Sequence, residues 1–203
     1  MVKALNRVAV CLFLVIIFWC GTLISDMQRL HRDVIRLHVV ANSDSVEDQQ
    51  YKVLVKDAVT SSLQKDLRNM MDVSQAKQYL QEKLPYIQTI AEDTLKALEC
   101  TDDVAVSLCT EAFGTREYDT FTLPAGIYNA LRIVIGDGQG KNWWCVVFPS
   151  LCLPAAAETF ADTAAGAGFP ETLNCALTGE NGYELRFAVL DALGKLENIL
   201  FTE

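Results

Sequence analysis

The hydrophobic pattern changes its period near residue 100, and this change most constrains the fold. Before that point, apolar side chains recur every three or four residues, as on one face of a helix. From Val104 onward they alternate with polar or small residues, which is typical of strands. The pattern therefore predicts helices followed by a sheet in one domain, residues 34–203, of α/β (α+β) class.

Three helices are predicted between the first strand and this change of period. The first runs from about Val46 to Met70, the second opens at Asp72, and the third begins at Pro85. A further helix is predicted at the C-terminus, from Tyr183 to Leu200. Asn42 and Asp44 are predicted to cap the first helix, because their side chains accept hydrogen bonds from unpaired backbone amides.

The first predicted strand, Val34–Val40, has one wholly apolar face, so Arg36 and His38 are expected on its polar, exposed face. Further strands are predicted at residues 104–108, 113–122, 127–135 and 143–148. Short connections between neighbours favour an antiparallel sheet of about four to five strands, packed with the three N-terminal helices and the C-terminal helix. Residues 154–174, rich in Ala, Gly and Thr, are predicted to form a flexible loop.

The first 25 residues form a separate element. Lys3 and Arg7 precede 13 consecutive apolar residues, Val8–Cys20. Such a run is typical of a signal peptide but short for a membrane span, which needs about 20 residues. No Ala-x-Ala cleavage signal follows, so a cleaved signal peptide and a retained membrane anchor both stay open. Residues 26–33 are predicted to be a tether.

Charge restricts the partners of the exported part. Removing residues 1–25 takes away two basic residues and no acidic ones, so the net charge of −9 becomes −11. An acidic domain argues against nucleic acid as a partner. It would also be repelled by acidic membrane surfaces.

Cys145 and Cys152 are the cysteines whose spacing suggests a disulfide. They flank Phe148-Pro149, where the chain can reverse and bring them together. Two separate buried thiols are the alternative. None of the cysteine spacings matches a zinc site, and no metal or other cofactor is predicted.

Trp143 and Trp144 stand behind a loop with three glycines, Gly136–Gly140. The loop lies between two strands and lacks the GxGxxG spacing, so it predicts a hairpin turn and not a phosphate site. Adjacent residues of a strand point to opposite faces. One indole is therefore expected in the core and the other at the surface, unless both are buried.

Catalytic motifs are weak throughout the chain. Asp119-Thr120 and Asp162-Thr163 lack the glycine that follows in aspartic proteases. His31 and His38 are the only histidines. A cysteine hydrolase that uses Cys145 with His38 is an alternative, although no motif connects the two. The chain is therefore predicted not to be an enzyme.

Two blocks carry a resemblance to a known family. They are residues 35–49, continuing to 56–59, and residues 118–132, continuing through 136–152. Together they resemble the stage II sporulation protein R family of endospore-forming Firmicutes, over roughly residues 34–153. The chain departs from the family pattern at Lys56, where arginine is usual, and at Ser150, where proline is usual.

The resemblance implies a signalling role. Members are made in the forespore and secreted into the space between the forespore and mother-cell membranes; a member with an uncleaved N-terminal segment would stay tethered to the forespore membrane. There they activate a membrane-embedded aspartic protease of the mother cell, which processes pro-sigma-E. Aromatic and arginine side chains dominate protein interfaces. The contact residues predicted here are Asn142, Trp143, Trp144, Tyr128, Arg132 and Arg36.

Two other classes of function remain as alternatives. An exported enzyme acting on the cell wall predicts turnover of peptidoglycan that depends on Cys145 or His38. A carbohydrate-binding module predicts retention on purified wall material through an exposed indole.

Overall fold

The computed structural model describes residues 2–70, 72–118, 121–149, 169–179 and 183–201. These residues form five helices and six strands. In chain order they are α1 (Val2–Asp33), β1 (Ile35–Val40), α2 (Val46–Arg68), α3 (Val73–Lys96), β2 (Val104–Phe113), β3 (Arg116–Glu117), β4 (Thr122–Leu123), β5 (Gly126–Ile135), β6 (Asn142–Phe148), α4 (Glu171–Thr178) and α5 (Glu184–Phe201).

The main sheet is mixed, so the prediction of an antiparallel sheet is wrong in part. Its strand order is β2-β5-β1-β6. β1 is parallel to β5 and antiparallel to β6, so Leu37 lies opposite both Leu131 and Cys145. The sequence neighbours β5 and β6 are therefore separated by the first strand of the domain. A parallel neighbour is feasible because the long α2–α3 connection allows the chain to return in the same direction.

Helices cover both faces of this central strand. α2 and α3 pack on the face that carries Leu37 and Val39. The end of α1, with α4 and α5, forms a second core on the other face. Every residue of β1 is buried, including Arg36 and His38. The predicted exposed face of this strand is therefore wrong, because a central strand between two helical layers has no solvent side.

The predicted second and third helices are one helix, α3, with Pro85 inside it. Its buried side chains continue in phase across the proline, which explains why the helix does not end there. They are Ala76, Leu80, Ile87, Ala91 and Leu95. Packing of this continuous stripe offsets the hydrogen bond that the proline nitrogen is unable to donate.

Other boundaries also differ from the predictions. β2 extends to Phe113, and the strand predicted at residues 113–122 is only the short β3–β4 pair. α4 begins inside the predicted loop 154–174, whose residues 154–168 lie outside the described part of the chain. The predicted C-terminal helix and the strands at β1, β5 and β6 are confirmed.

Residues 26–33 are not a tether but the last two turns of α1. Leu23 and Leu30 are buried in the second core, and Asp26 forms an ion pair with Arg186 of α5. The apolar part of α1 projects from the domain and is long enough to cross a membrane. A signal sequence meets the same criterion, so the helix fits either a signal peptide or an anchor.

α5 approaches the sheet closely at Gly194, and this contact generates a prediction. A methyl group on Gly194 would overlap the carbonyl oxygen of Ala125. Gly194→Ala should therefore lower the free energy of unfolding by about 1–3 kcal/mol, although alanine normally favours helices. Thermal unfolding in detergent, followed by circular dichroism, measures the change.

Gly114→Ala is the matched control, because nothing lies within 4 Å of the added methyl group. It should change stability by no more than about 0.5 kcal/mol. Equal stability of the two variants would contradict the close packing of α5 on β5.

Candidate functional site

The turn after β1 holds the glycine-rich loop that precedes the tryptophans. The Asn42 side-chain oxygen accepts a hydrogen bond from the backbone amide of Asp137 at 2.9 Å. The Asp44 carboxylate accepts one from the backbone amide of Lys141 at 2.7 Å. The loop is thus fixed at both ends, and the start of β6 is fixed with it.

Asn42 and Asp44 are therefore not the predicted helix caps. The N-cap of α2 is Ser45, whose hydroxyl accepts a hydrogen bond from the backbone amide of Asp48 at 3.0 Å. Asparagine and aspartate side chains accept amide hydrogen bonds from any nearby backbone, and here the loop is closer than the helix.

Trp143 and Trp144 follow this loop, and their indoles lie on opposite faces of β6. Trp143 lies on the face of α2, is 38% exposed, and has the Lys56 ammonium 4.7 Å from its ring centroid. Trp144 is half-buried and stacks on His38 with ring centroids 3.8 Å apart. It also meets the edge of Phe113 at 5.0 Å. Trp143 is thus the indole available to a partner, and Trp144 supports the sheet.

His38, Glu111 and Arg132 form a polar cluster beside Trp144. The Glu111 carboxylate lies 2.8 Å from Nδ1 of His38 and 3.2 Å from Nη1 of Arg132. His38 is buried, whereas the Arg132 side chain is 44% exposed. The cluster therefore extends from the core to the surface across three neighbouring strands.

Opposing effects act on the pKa of Glu111. Burial works to raise it, but the hydrogen bond and charge of His38, with the charge of Arg132, outweigh burial and hold the pKa below its ordinary value. The carboxylate is therefore ionised at neutral pH and acts as the counterion of Arg132.

Arg36 and Tyr128 are fully buried, so their prediction as contact residues is wrong. The Arg36 guanidinium lies 4.1 Å from the ring centroid of Phe113 and 5.1 Å from that of Tyr128. One of its nitrogens donates to the hydroxyl of Tyr118 at 3.2 Å. Burial lowers the pKa of Arg36, while the nearby tyrosines oppose that shift. Aromatic faces thus stabilise this cation in place of a carboxylate.

The cysteine hydrolase alternative does not fit the sheet geometry. Cys145 lies opposite Leu37 and packs in the α2–α3 core, whereas His38 lies opposite Trp144 in the second core. The two side chains therefore point to opposite faces. Cys145 is also disulfide-bonded, which removes its thiol. Its predicted partner Cys152 lies outside the described residues, as do Asp119, Thr120, Asp162 and Thr163.

The described ranges hold neither a metal-ligand cluster nor a catalytic cleft. No group of three or more His, Cys, Asp or Glu side chains there is arranged to hold a metal ion. A shallow groove of about 320 Å³ lies between β4 and the helices α4 and α5. Its walls include the stacked rings of Tyr118 and Phe121, with Leu177 and Phe187 opposite. Its lining is polar and apolar in nearly equal parts, and the lining residues form no catalytic arrangement.

Sequence reasoning missed Glu111, which joins two of its candidates. Ser107, Cys109 and Glu111 share one face of β2, and extending the alternation beyond residue 108 could have placed Glu111 on that face. Its partners were not evident, because Arg132 and His38 belong to strands whose order in the sheet is not encoded locally.

Comparison with known proteins gives the family of the chain. The family model described as stage II sporulation protein R matches residues 31–158, which is more than half of the chain. The chain belongs to the stage II sporulation protein R family. The stage II sporulation protein R of Bacillus subtilis (strain 168) is 38% identical over 118 residues. That alignment covers 58% of this chain and about half, 53%, of the relative. No solved structure matches the chain.

The family match has a clear structural boundary. It contains all six strands with α2 and α3, and thus every candidate residue described above. Most of α1 and the whole of α4 and α5 lie outside it. Neither the family nor the relative is named as an enzyme, and the names indicate a role in sporulation.

The charge pairing of Glu111 predicts a pH-dependent stability. Glu111→Gln should lower the free energy of unfolding at neutral pH by about 1–3 kcal/mol, because a charge-assisted hydrogen bond is lost. Since the folded pKa of Glu111 is depressed, the contribution is fully present above its unfolded pKa of about 4.3. It is lost as the pH falls through the lower folded pKa.

Thermal unfolding of both proteins between neutral and acid pH tests this prediction. The difference in Tm should shrink below about pH 4. Glu117→Gln is the control, because Glu117 is exposed on β3. A difference that stays constant, or grows in acid, would show that Glu111 stabilises the fold by another route.

Proposed function

We propose that this chain is an exported sporulation signal that activates a membrane-embedded aspartic protease of the mother cell, which then processes pro-sigma-E. Membership of the stage II sporulation protein R family carries the proposal. The space between the forespore and mother-cell membranes is its proposed site of action. The protein acts there by binding and breaks no covalent bond itself.

The N-terminal helix supports export. The part of α1 before Trp19 is exposed and apolar, and only two basic residues precede or interrupt it. A cytoplasmic protein would leave this surface in water at a large cost in free energy. Both a signal peptide and a membrane anchor bring the remaining domain to the outer side of the membrane.

The proposed contact surface is centred on the start of β6. Trp143 is exposed there, next to the exposed Asn142. Arg132 is exposed on the opposite face of the sheet. A partner that contacts all three residues must therefore reach around the end of β6. The loop held by Asn42 and Asp44 keeps these groups in place before binding, which reduces the entropy lost on association.

The energy required of such a surface is modest. Shifting a two-state receptor from mostly inactive to mostly active takes about 5.5 kcal/mol of differential affinity. A central tryptophan contributes about 2–4 kcal/mol in many interfaces. A surface built on Trp143 with one or two polar contacts is therefore large enough for the task.

Processing of pro-sigma-E in sporulating cells tests the surface. Trp143→Ala should leave the amount of exported protein unchanged, because its ring is partly exposed and not in either core. It should reduce processing by roughly thirtyfold, the equivalent of about 2 kcal/mol of lost binding. The control is Tyr86→Ala, which removes an aromatic side chain that is 51% exposed on α3.

Trp144→Ala should behave differently, because this indole stacks on His38 and Phe113. It is expected to lower the amount of folded protein together with the signal. Normal processing by Trp143→Ala would eliminate this surface as the contact. Trp143-dependent retention on purified peptidoglycan would instead favour the carbohydrate-binding module.

A second experiment tests the compartment. A copy without residues 1–25, kept in the forespore cytoplasm, should fail to restore processing in cells that lack their own signal. A secreted copy with a heterologous signal peptide should restore it. Equal activity of the two copies would show that the protein acts inside the cell, against the proposal.

A further inference from the structure

α5 closes one end of the sheet. The Asp191 carboxylate accepts a hydrogen bond from the backbone amide of Ala125 at 2.8 Å, just before β5 begins. The Asn198 amide donates to the carbonyl of Phe113, the last residue of β2, at 2.7 Å. Gly194 lies against Ala125 between these two contacts. The inner face of α5 is therefore held against the strand ends along about two turns.

α1 leaves the domain from the same end of the sheet. The backbone amide of Val34 still bonds to the carbonyl of Leu30, and β1 begins at the next residue. Ile35 at the start of β1 pairs with Asn129 near the start of β5. No linker separates α1 from the sheet, so a bilayer crossed by the apolar part of α1 lies on this side of the domain, beyond the turns of α1 that pack against α5.

α5 crosses the direction of α1. Arg186 of α5 pairs with Asp26, and Glu197 lies 3.5 Å from His31. At 1.5 Å per residue, the two contacts are about 16 Å apart on α5 but only about 7.5 Å apart on α1. α5 therefore extends sideways from α1, across the end of the domain.

The outer face of α5, opposite the contacts with the sheet, is apolar and open to solvent. At 100° per residue, Leu185, Ala188, Ala192 and Leu196 lie on this face. Leu185 is 67% exposed and Leu196 is 55% exposed. Leu200 extends the exposed apolar surface to the end of the helix. A monomer in water rarely displays such a stripe without a partner.

We propose that the outer face of α5 lies on the lipid bilayer that α1 enters. The bilayer is the occupant favoured by position, because the exposed apolar surface of α1 and that of α5 belong to two helices in direct contact. An amphipathic helix in this position inserts its apolar side chains into the boundary between headgroups and acyl chains. The contact is apolar, so it does not depend on attraction between the acidic domain and lipid charge.

Site-specific photocrosslinking on the full chain tests the contact. Leu196 is replaced by benzoylphenylalanine, and the protein is placed in nanodiscs of phosphatidylcholine and phosphatidylglycerol, one copy per disc. A second variant carries the probe at Leu185, so that failure of one variant to fold leaves the test intact. The control carries it at Tyr86, an exposed side chain on α3 at the other face of the sheet.

Lipid adducts at positions 196 and 185, with none above background at position 86, are the expected result, read by mass spectrometry. Absence of lipid adducts at both α5 positions would overturn the proposal. Equal adducts at all three positions would overturn it too, because contact would then be non-specific. Crosslinks to a second copy in detergent, together with no lipid adducts in the single-copy discs, would assign the stripe to self-association. The experiment contains no protease, so its outcome is independent of the proposed signalling role.

Discussion

Burial of β1 on both faces is the constraint on which the rest of this structure depends. Because β1 lies between β5 and β6, its side chains alternate between two cores, and neither face is left for solvent. Arg36 and His38 must then be stabilised inside the protein. The aromatic rings around Arg36 and the carboxylate beside His38 do this, so the second core is built around two basic groups. That arrangement also brings Glu111 and Arg132 to the surface next to Trp144.

Local features of the fold could be read from the sequence, and long-range pairing could not. The helical periods of α2 and α5 and the alternation of β5 and β6 are properties of short segments, and those elements are present as predicted. The insertion of β1 between β5 and β6 depends on contacts almost 100 residues apart. Short loops favour pairing of neighbours, and that general rule fails here because α2 and α3 return the chain to the other side of β1. The continuity of α3 through Pro85 has the same origin, since packing outweighs a local breaker signal.

The same difference between local and long-range information applies to the candidate residues. Trp143, Asn142 and Arg132, selected with the aromatic and arginine side chains that dominate interfaces, are exposed, whereas Arg36 and Tyr128 are core residues. Asn42 and Asp44 were recognised as acceptors of backbone amides, but the amides belong to a loop almost 100 residues away. Sequence reasoning identified the chemistry of these side chains correctly and assigned them the nearest partner in the chain. The family match confirms the sporulation role and leaves the contact residues as proposals.

The join between α1 and β1 has a consequence for orientation. One residue joins α1 to β1, and the last turns of α1 are held by the buried Leu23 and Leu30, so the tilt of α1 sets the orientation of the domain. Val40, at the far end of β1, lies opposite Asn142, and six strand residues span about 20 Å. Trp143, which follows Asn142, therefore lies near the end of β1 that is farther from its junction with α1. The exposed indole and the junction with the N-terminal helix thus lie toward opposite ends of the central strand.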